Sequence, residues 1–306
     1  MATTALAGAT LKHYQLRERL GAGGMGEVYL ARDLHLERDV AVKVLTAGTL
    51  AGEEARQRFR QEAFALSRLQ HPNVATVHDF DSCNGTDFLV TEYVAGPTIA
   101  DKVAWGPLPE KEVLELGLQL AEGLAAAHAR QLIHRDIKPA NLRVTAEGRL
   151  KILDFGLAIP MAAPADVATT DHAVGAVAGT LQYMAPEQLQ GAAPDARSDI
   201  YAAGAVLYEM ATARAPFAAT VPAALVDAIL HQQPLPPSRL APDLSPRCEE
   251  VILRALEKNP EHRFQSASDL LAALRRAVTA GSDAHKSVAV LYFEDLSASV
   301  EDRYFR

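Results

Sequence analysis

The chain has 306 residues, 49% of them hydrophobic, enough to bury a substantial core in two lobes or domains. Its formal charge of −8 argues against a nucleic-acid binder that works by neutralising phosphates. Cys83 and Cys248 are too few and too isolated for a disulfide framework or a zinc cluster, and no apolar run reaches the ~20 residues a membrane-crossing helix needs.

Met1 to Leu11 lacks the basic start and apolar run of a signal peptide and reads as a disordered lead-in. Tyr14 to Leu20 and Val28 to Arg32 are strand-like runs on either side of Gly21-Ala22-Gly23-Gly24-Met25-Gly26. A dinucleotide site would follow its glycines with a helix, whereas Val28-Tyr29-Leu30 is β-prone, so a hairpin is expected. Glycines at such a tip allow a backbone to approach nucleotide phosphates closely. Asp39 to Leu45 is a further strand, with Val40, Val42 and Val44 alternating around Ala41 and Lys43. Alone, Lys43 could equally be a snorkelling edge lysine.

Glu53 to Leu69 carries Phe59, Ala63, Leu66 and Leu69 at helical spacing. His71-Pro72-Asn73-Val74 ends that helix and leads into Val74 to Phe80, and Asn84-Gly85 marks a turn before Phe88 to Tyr93. Beyond Gly96-Pro97 the pattern becomes helical. Pro109 to Arg130 places Val113, Leu116, Leu120, Leu124 and Ala127 on one core-facing side, and further helices are predicted near Ser198 to Ala211, Pro222 to Gln232, Pro246 to Lys258 and Ser266 to Val278. Pro234 to Pro242 reads as a loop.

His134-Arg135-Asp136-Ile137-Lys138-Pro139-Ala140-Asn141, followed by Asp154-Phe155-Gly156, gathers two carboxylates, a carboxamide and an ammonium. Moving a terminal phosphoryl group needs in-line positioning and neutralised oxygen charge more than covalent help. Asn141 and Asp154 supply hard oxygens suited to Mg²⁺. Asp136 remains to orient an incoming hydroxyl, and Lys138 can lie beside it over the transferring group.

These two motifs resemble the catalytic loop and metal-binding motif of the eukaryotic-like (Hanks-type) protein kinases, and the likeness extends in order from about Tyr14 to Val278. It implies an α+β, bilobal protein-kinase-like fold: a small antiparallel β-sheet lobe with one helix, and a larger, mainly α-helical lobe. Lys138 is the variant that implies serine/threonine specificity. The resemblance assigns catalytic roles to Asp136, Lys138, Lys43 and Glu62, and the metal to Asn141 and Asp154. Val40-Ala41-Val42-Lys43 matches the motif that contacts the α- and β-phosphates, and Phe59-Arg60-Gln61-Glu62-Ala63 makes Glu62 the partner of Lys43. An outward helix would break that pair and leave the enzyme off. The nucleotide pocket comprises Leu20, Gly21, Gly23, Gly24, Gly26, Val28, Ala41, Lys43, Thr91, Glu92, Val94 and Arg143, with Val28 and Ala41 as walls, Thr91 as gatekeeper and Glu92-Tyr93-Val94 as the hinge that hydrogen-bonds adenine. Arg143 departs from the family, which puts an apolar floor there; it either stacks on the base or turns to solvent.

Asp154 to Glu187 resembles an activation segment, in which Thr180 contacts the catalytic Asp and Lys. Thr169 and Thr170 are candidate phosphoacceptors, with Arg135 as the cation to bind the resulting phosphate, or simply loop threonines, since they lie farther before Thr180 than the family's usual acceptors. The resemblance also implies that Asp199 braces the catalytic-loop backbone, the alternative being that it simply favours the positive end of a helix, and that Glu187 pairs with Arg263. Thr279 to Asp283 is linker-like, and the β-prone Ser287 to Phe293 resembles the opening strand of a following domain that docks on a lobe, pairs with another copy or stays loose. The expected divisions are 1–12 lead-in, 13–95 N-lobe, 96–278 C-lobe and 279–306 linker and start of a following domain. The function implied is a cytoplasmic, bacterial kinase that uses ATP and Mg²⁺, or Mn²⁺, to phosphorylate Ser/Thr of protein substrates, itself included. It has no nucleic-acid partner and no membrane span. A pseudokinase scaffold and a small-molecule phosphotransferase are the alternatives.

Overall fold

The computed structural model describes residues 6–23, 26–46, 48–50, 52–155 and 181–283. Gly24, Gly156, Thr169, Thr170, Thr180 and Ser287 to Phe293, each given an expectation above, lie outside these residues.

Alternation of apolar residues builds the first lobe. Strands β1 (Thr10–Leu11), β2 (Tyr14–Gly23), β3 (Gly26–Asp33), β4 (Arg38–Leu45), β5 (Val77–Cys83) and β6 (Thr86–Glu92) form one antiparallel sheet in the order β1-β2-β3-β4-β6-β5. Tyr29, Ala31, Val40, Val42, Val44, Phe88 and Val90 fill a small core on one face. On the other face Leu89 joins Phe59, Ala63 and Leu66 of helix α1 (Glu53–Ser67), in a core continuous with that of the second lobe. The Asn84-Gly85 turn takes left-handed φ values of 51° and 77° between the paired Cys83 and Thr86, the two-residue geometry such a dipeptide favours. One expectation is corrected here: the lead-in is ordered at its end, because β1 buries Leu11 by pairing with Tyr14.

The second lobe is built on α3 (Glu110–His128) and α5 (Ala196–Thr212), preceded by α2 (Ile99–Val103), with α4 (Pro186–Leu189), α6 (Pro222–His231), α7 (Pro246–Ala255) and α8 (Ala267–Asp283) around them. Helix α5 is buried almost all round, which explains the apolar run from Ile200 to Met210 as core. Among the described residues no helix is long and apolar enough to cross a membrane. Thr279 to Asp283, expected as linker, is the last turn of α8. A two-stranded ribbon, β7 (Leu142–Val144) and β8 (Leu150–Ile152), follows α3 within the second lobe's sequence and carries the chain toward Asp154.

Lys258 sits under α6, its Nζ 2.6 Å from the Ile229 carbonyl oxygen and 3.8 Å from the centre of the Phe217 ring. Burial, with the nearby Arg263 charge, pushes its pKa down to about 8. The unfolded chain keeps that proton to about pH 10.4, so between these values the unfolded state binds more protons and stability rises with pH. Wild type should therefore gain stability relative to Lys258→Met as pH climbs from 7 to 10 in urea titrations; a constant difference would refute the assignment.

Candidate active site

The pairing register decides which side chains share the sheet's inward face. Val28 stands opposite Lys43, Ala41 opposite Leu30 and Thr91, and Leu89 opposite Lys43, so Val28, Ala41, Lys43 and Thr91 are on one face and Tyr29, Val40, Val42 and Val90 on the other. Gly21 pairs with Val28 and Gly23 with Gly26 across the hairpin, with half-buried Leu20 at its base beside a register shift. Gly26 has φ 146°, and a Cβ there would collide with the Val44 carbonyl oxygen. At Gly21 and Gly23 a Cβ would meet nothing within 4 Å.

The loop below is fixed from beneath. Asp199, 1% exposed, accepts the backbone N–H groups of His134 and Arg135, each at 2.8 Å, and holds His128 Nε2 at 2.8 Å. His134 in turn contacts the Leu153 carbonyl oxygen at 2.8 Å and packs against buried Phe155, ring centres 4.6 Å apart. Asp136 meets Lys138 Nζ at 2.8 Å and Asn141 Nδ2 at 3.0 Å, and Asn141 Nδ2 also reaches the Asp136 carbonyl oxygen at 2.8 Å. With its amide nitrogen so engaged, Asn141 keeps its side-chain oxygen as the atom able to serve as a hard donor. Leu153 N donates to the Asn141 carbonyl at 2.8 Å, which sets Asp154 beside Asn141. Arg135 and Asp154 adopt left-handed φ values of 67° and 52°, strained conformations for residues with side chains. Lys43 crosses from the sheet to Asp154, Nζ to Oδ2 3.2 Å.

The expected Lys43–Glu62 pair is corrected. Glu62 instead faces the catalytic loop, where its carboxylate lies 3.6 Å from Arg135 Nη1, while Lys43 takes Asp154. The cause is the placement of α1, which turns Glu62 toward the lower lobe rather than toward β4. Burial raises the Glu62 carboxyl above its ordinary value, and Arg135 only partly offsets this. Arg143 lies against the hinge backbone: its Nη1 donates to the Gly96 carbonyl at 2.7 Å and lies 3.5 Å from that of Val94. The Glu92 side chain is bound to Lys151 Nζ at 2.8 Å and accepts Thr76 N at 3.1 Å. Lys151, which sequence reasoning passed over, was signalled only by a polar residue between Leu150 and Ile152 just ahead of Asp154.

Among the described residues no three His, Cys, Asp or Glu side chains form a metal cluster. Asp154 and Asn141 together suit a Mg²⁺ ion, which takes one or two protein oxygens and completes its shell with phosphates and water. Glu187 is anchored by Arg263, whose five N–H groups are all engaged: both Glu187 oxygens at 2.7 and 2.8 Å, and the carbonyls of Glu257, Arg197 and Lys258 at 2.7, 3.0 and 3.0 Å. Burial alone would raise the Glu187 carboxyl; the Arg263 hydrogen bonds and charge bring it below its usual value.

Residues 14–273 match the family described as Protein kinase domain. The chain is 42% identical over 268 residues to the serine/threonine-protein kinase PknB of Mycolicibacterium smegmatis, covering 86% of this chain and 42% of that protein. It is 36% identical over 290 residues to the serine/threonine-protein kinase PrkC of Bacillus subtilis, covering 94% of this chain and 44% of the other. It thus spans less than half the length of these curated relatives. The crystal structure of the Mycobacterium tuberculosis PknI kinase domain aligns with a TM-score of 0.70 at 31% identity, over 89% of this chain and 98% of that one.

Proposed function

The chain belongs to the protein kinase domain family, in its Hanks-type serine/threonine branch, and from that premise we propose that it transfers the γ-phosphoryl group of ATP to Ser and Thr hydroxyls of proteins, itself among them. The observation that carries this reading is the convergence of Lys43, Asp136, Lys138, Asn141 and Asp154 from two lobes, with hydrogen bonds or ion pairs linking Asp136 to Lys138 and Asn141, and Lys43 to Asp154. Family membership brings use of ATP and a divalent metal ion. In our reading the metal is Mg²⁺, with Mn²⁺ able to substitute, held by Asn141 and Asp154, and when bound it neutralises phosphate oxygens.

Asp136 accepts the hydrogen bond of the incoming hydroxyl and points its oxygen at phosphorus, while Lys138 neutralises charge on the transferring group. Lys43 holds the α- and β-phosphates. The open space above Gly21 and Gly23 supports a phosphate-binding role for the hairpin, because protein packing does not require glycine there. Val28, Ala41 and Thr91 line the base site on the inward sheet face, and the hinge backbone at Glu92 to Val94 reads adenine. Catalysis on the cytoplasmic side, where ATP is available, follows from this chemistry.

Incubation with ATP labelled at the γ-phosphate, Mg²⁺ and a generic protein substrate tests the proposal. Label on serine and threonine is expected; nucleotide binding without any transfer would make the chain a scaffold instead.

We further infer that the Glu62–Arg135 pair holds an off arrangement that exchanges for Lys43–Glu62. Both side chains are more than a third exposed, so the pair contributes no more than about 1 kcal/mol. Arg135→Gln should then raise kcat/KM of unphosphorylated protein by at most about fivefold. A loss of activity in that variant would show that Arg135 does not act as a restraint.

A further inference from the structure

Arg143 and Lys151 stand directly opposite each other on the β7–β8 ribbon. Like charges so placed weaken a ribbon unless each is held by acceptors elsewhere. Both are, and by one segment. Lys151 Nζ lies 2.8 Å from each oxygen of Glu92, with the lysine side chain only 13% exposed, and Arg143 Nη1 takes the carbonyls of Gly96 and Val94. Backbone bonds add to these cations: Val144 N donates to Pro97 O at 2.9 Å, Thr98 bridges to Arg143, and Glu92 N donates to Thr76 O at 2.8 Å. Gly96, at φ 124°, passes so close that a Cβ would strike the Val144 carbonyl oxygen. The ribbon is tied onward to Asn73, whose carbonyl accepts Ile152 N at 2.8 Å, two residues before Asp154.

We propose that Arg143 and Lys151 form a two-cation clamp that fixes the 92–98 backbone against the ribbon and so acts as a positioning device for the nucleobase. This deepens, and rests on, the reading of Glu92 to Val94 as the adenine hinge. Neither side chain needs to touch the base. Their contribution is preorganisation, which appears as nucleotide affinity rather than as rate at saturation. It also gives a reason for an arginine where an apolar floor is the rule: its charge is held by the hinge carbonyls beside the base plane.

Lys151→Gln, Arg143→Gln and Arg143→Lys test this in steady-state kinetics, with adenosine and inorganic tripolyphosphate as inhibitors competitive with ATP and thermal unfolding followed in parallel. Each glutamine variant should raise KM for ATP and Ki for adenosine together by about three- to tenfold, the scale of one lost charged hydrogen bond. The tripolyphosphate Ki and kcat should move less than about twofold. Arg143→Lys, which keeps the charge but lacks the planar guanidinium fork and its reach, should fall between wild type and Arg143→Gln. Unchanged adenosine and ATP constants would overturn the clamp, as would a rise in adenosine and tripolyphosphate constants by the same factor, which marks a merely structural loss. Failure of adenosine to compete with ATP even in wild type would instead remove the adenine-hinge reading, and the clamp with it, while leaving phosphoryl transfer to be judged by the labelling experiment.

Discussion

Asp136→Asn should lower kcat by about 10²-fold or more while leaving Mg·ADP affinity within a few fold of wild type. The substitution preserves size and removes one charge at the point where three groups depend on it. Lys138 Nζ and Asn141 Nδ2 both donate to the Asp136 carboxylate, at 2.8 and 3.0 Å. An amide there offers one acceptor oxygen instead of two, and its own NH₂ would face donors. The incoming hydroxyl then loses the acceptor that orients it, and Lys138 loses its counter-ion. The base and phosphate ends of the nucleotide site lie on other elements, so binding is spared. Calorimetry with Mg·ADP beside initial-rate kinetics makes the comparison. Turnover within a few fold of wild type would deny Asp136 its role.

Arg263→Leu should destabilise the protein by about 3–5 kcal/mol, the usual effect of removing one partner from a buried ion pair. Arg263 is 1% exposed and satisfies five acceptors, so its loss strands the Glu187 carboxylate and the carbonyls of Arg197, Glu257 and Lys258 together. Ser198 Oγ, which also donates to Glu187 at 2.8 Å, cannot neutralise the charge. The double variant Arg263→Leu/Glu187→Leu should cost less than the sum of the two singles, because it removes the unpaired charge as well. Urea unfolding of the four proteins measures this directly. A single-variant loss below about 1 kcal/mol, or strict additivity, would mean the pair is not coupled. Because Glu187 sits in the first turn of α4, just after the 181–185 segment, kcat/KM for protein substrates should fall further than nucleotide affinity in the same variant.

The parts of the fold legible in the sequence were those with enough length to show a period. Val40, Val42 and Val44 gave β4, Val113 to Ala127 gave the buried face of α3, and Asn84-Gly85 gave its turn through backbone chemistry that few other dipeptides share. Asp199 and the Glu187–Arg263 pair were legible through the family pattern, and the contacts follow it. Strands β7 and β8 were not, since three residues carry no alternation to detect. The same holds for α2, five residues long and fixed by a Thr98–Asp101 capping box. The end of α8 was misread because Thr279-Ala280-Gly281-Ser282 looks like a linker by composition, whereas helical hydrogen bonds continue through it.

The partner of Glu62 fell outside sequence reasoning for a different reason. Lys43 has Asp154 and Glu62 as rival carboxylates, and Glu62 has Lys43 and Arg135 as rival cations. Which set forms depends on how α1 sits as a body between the lobes, a few ångströms that no local pattern encodes. Arg143 is similar: its residue type flagged a departure from the family, but only the path of Gly96 over Val144 determined which acceptors it would find.

The most direct test of phosphoryl transfer is mass-spectrometric mapping of the wild-type chain and Asp136→Asn after incubation with Mg·ATP. Phosphoserine or phosphothreonine in the wild type, absent from the variant and with no phosphotyrosine, is the result predicted. An unmodified wild type that transfers nothing to added protein either, or equal modification of both proteins, would contradict it.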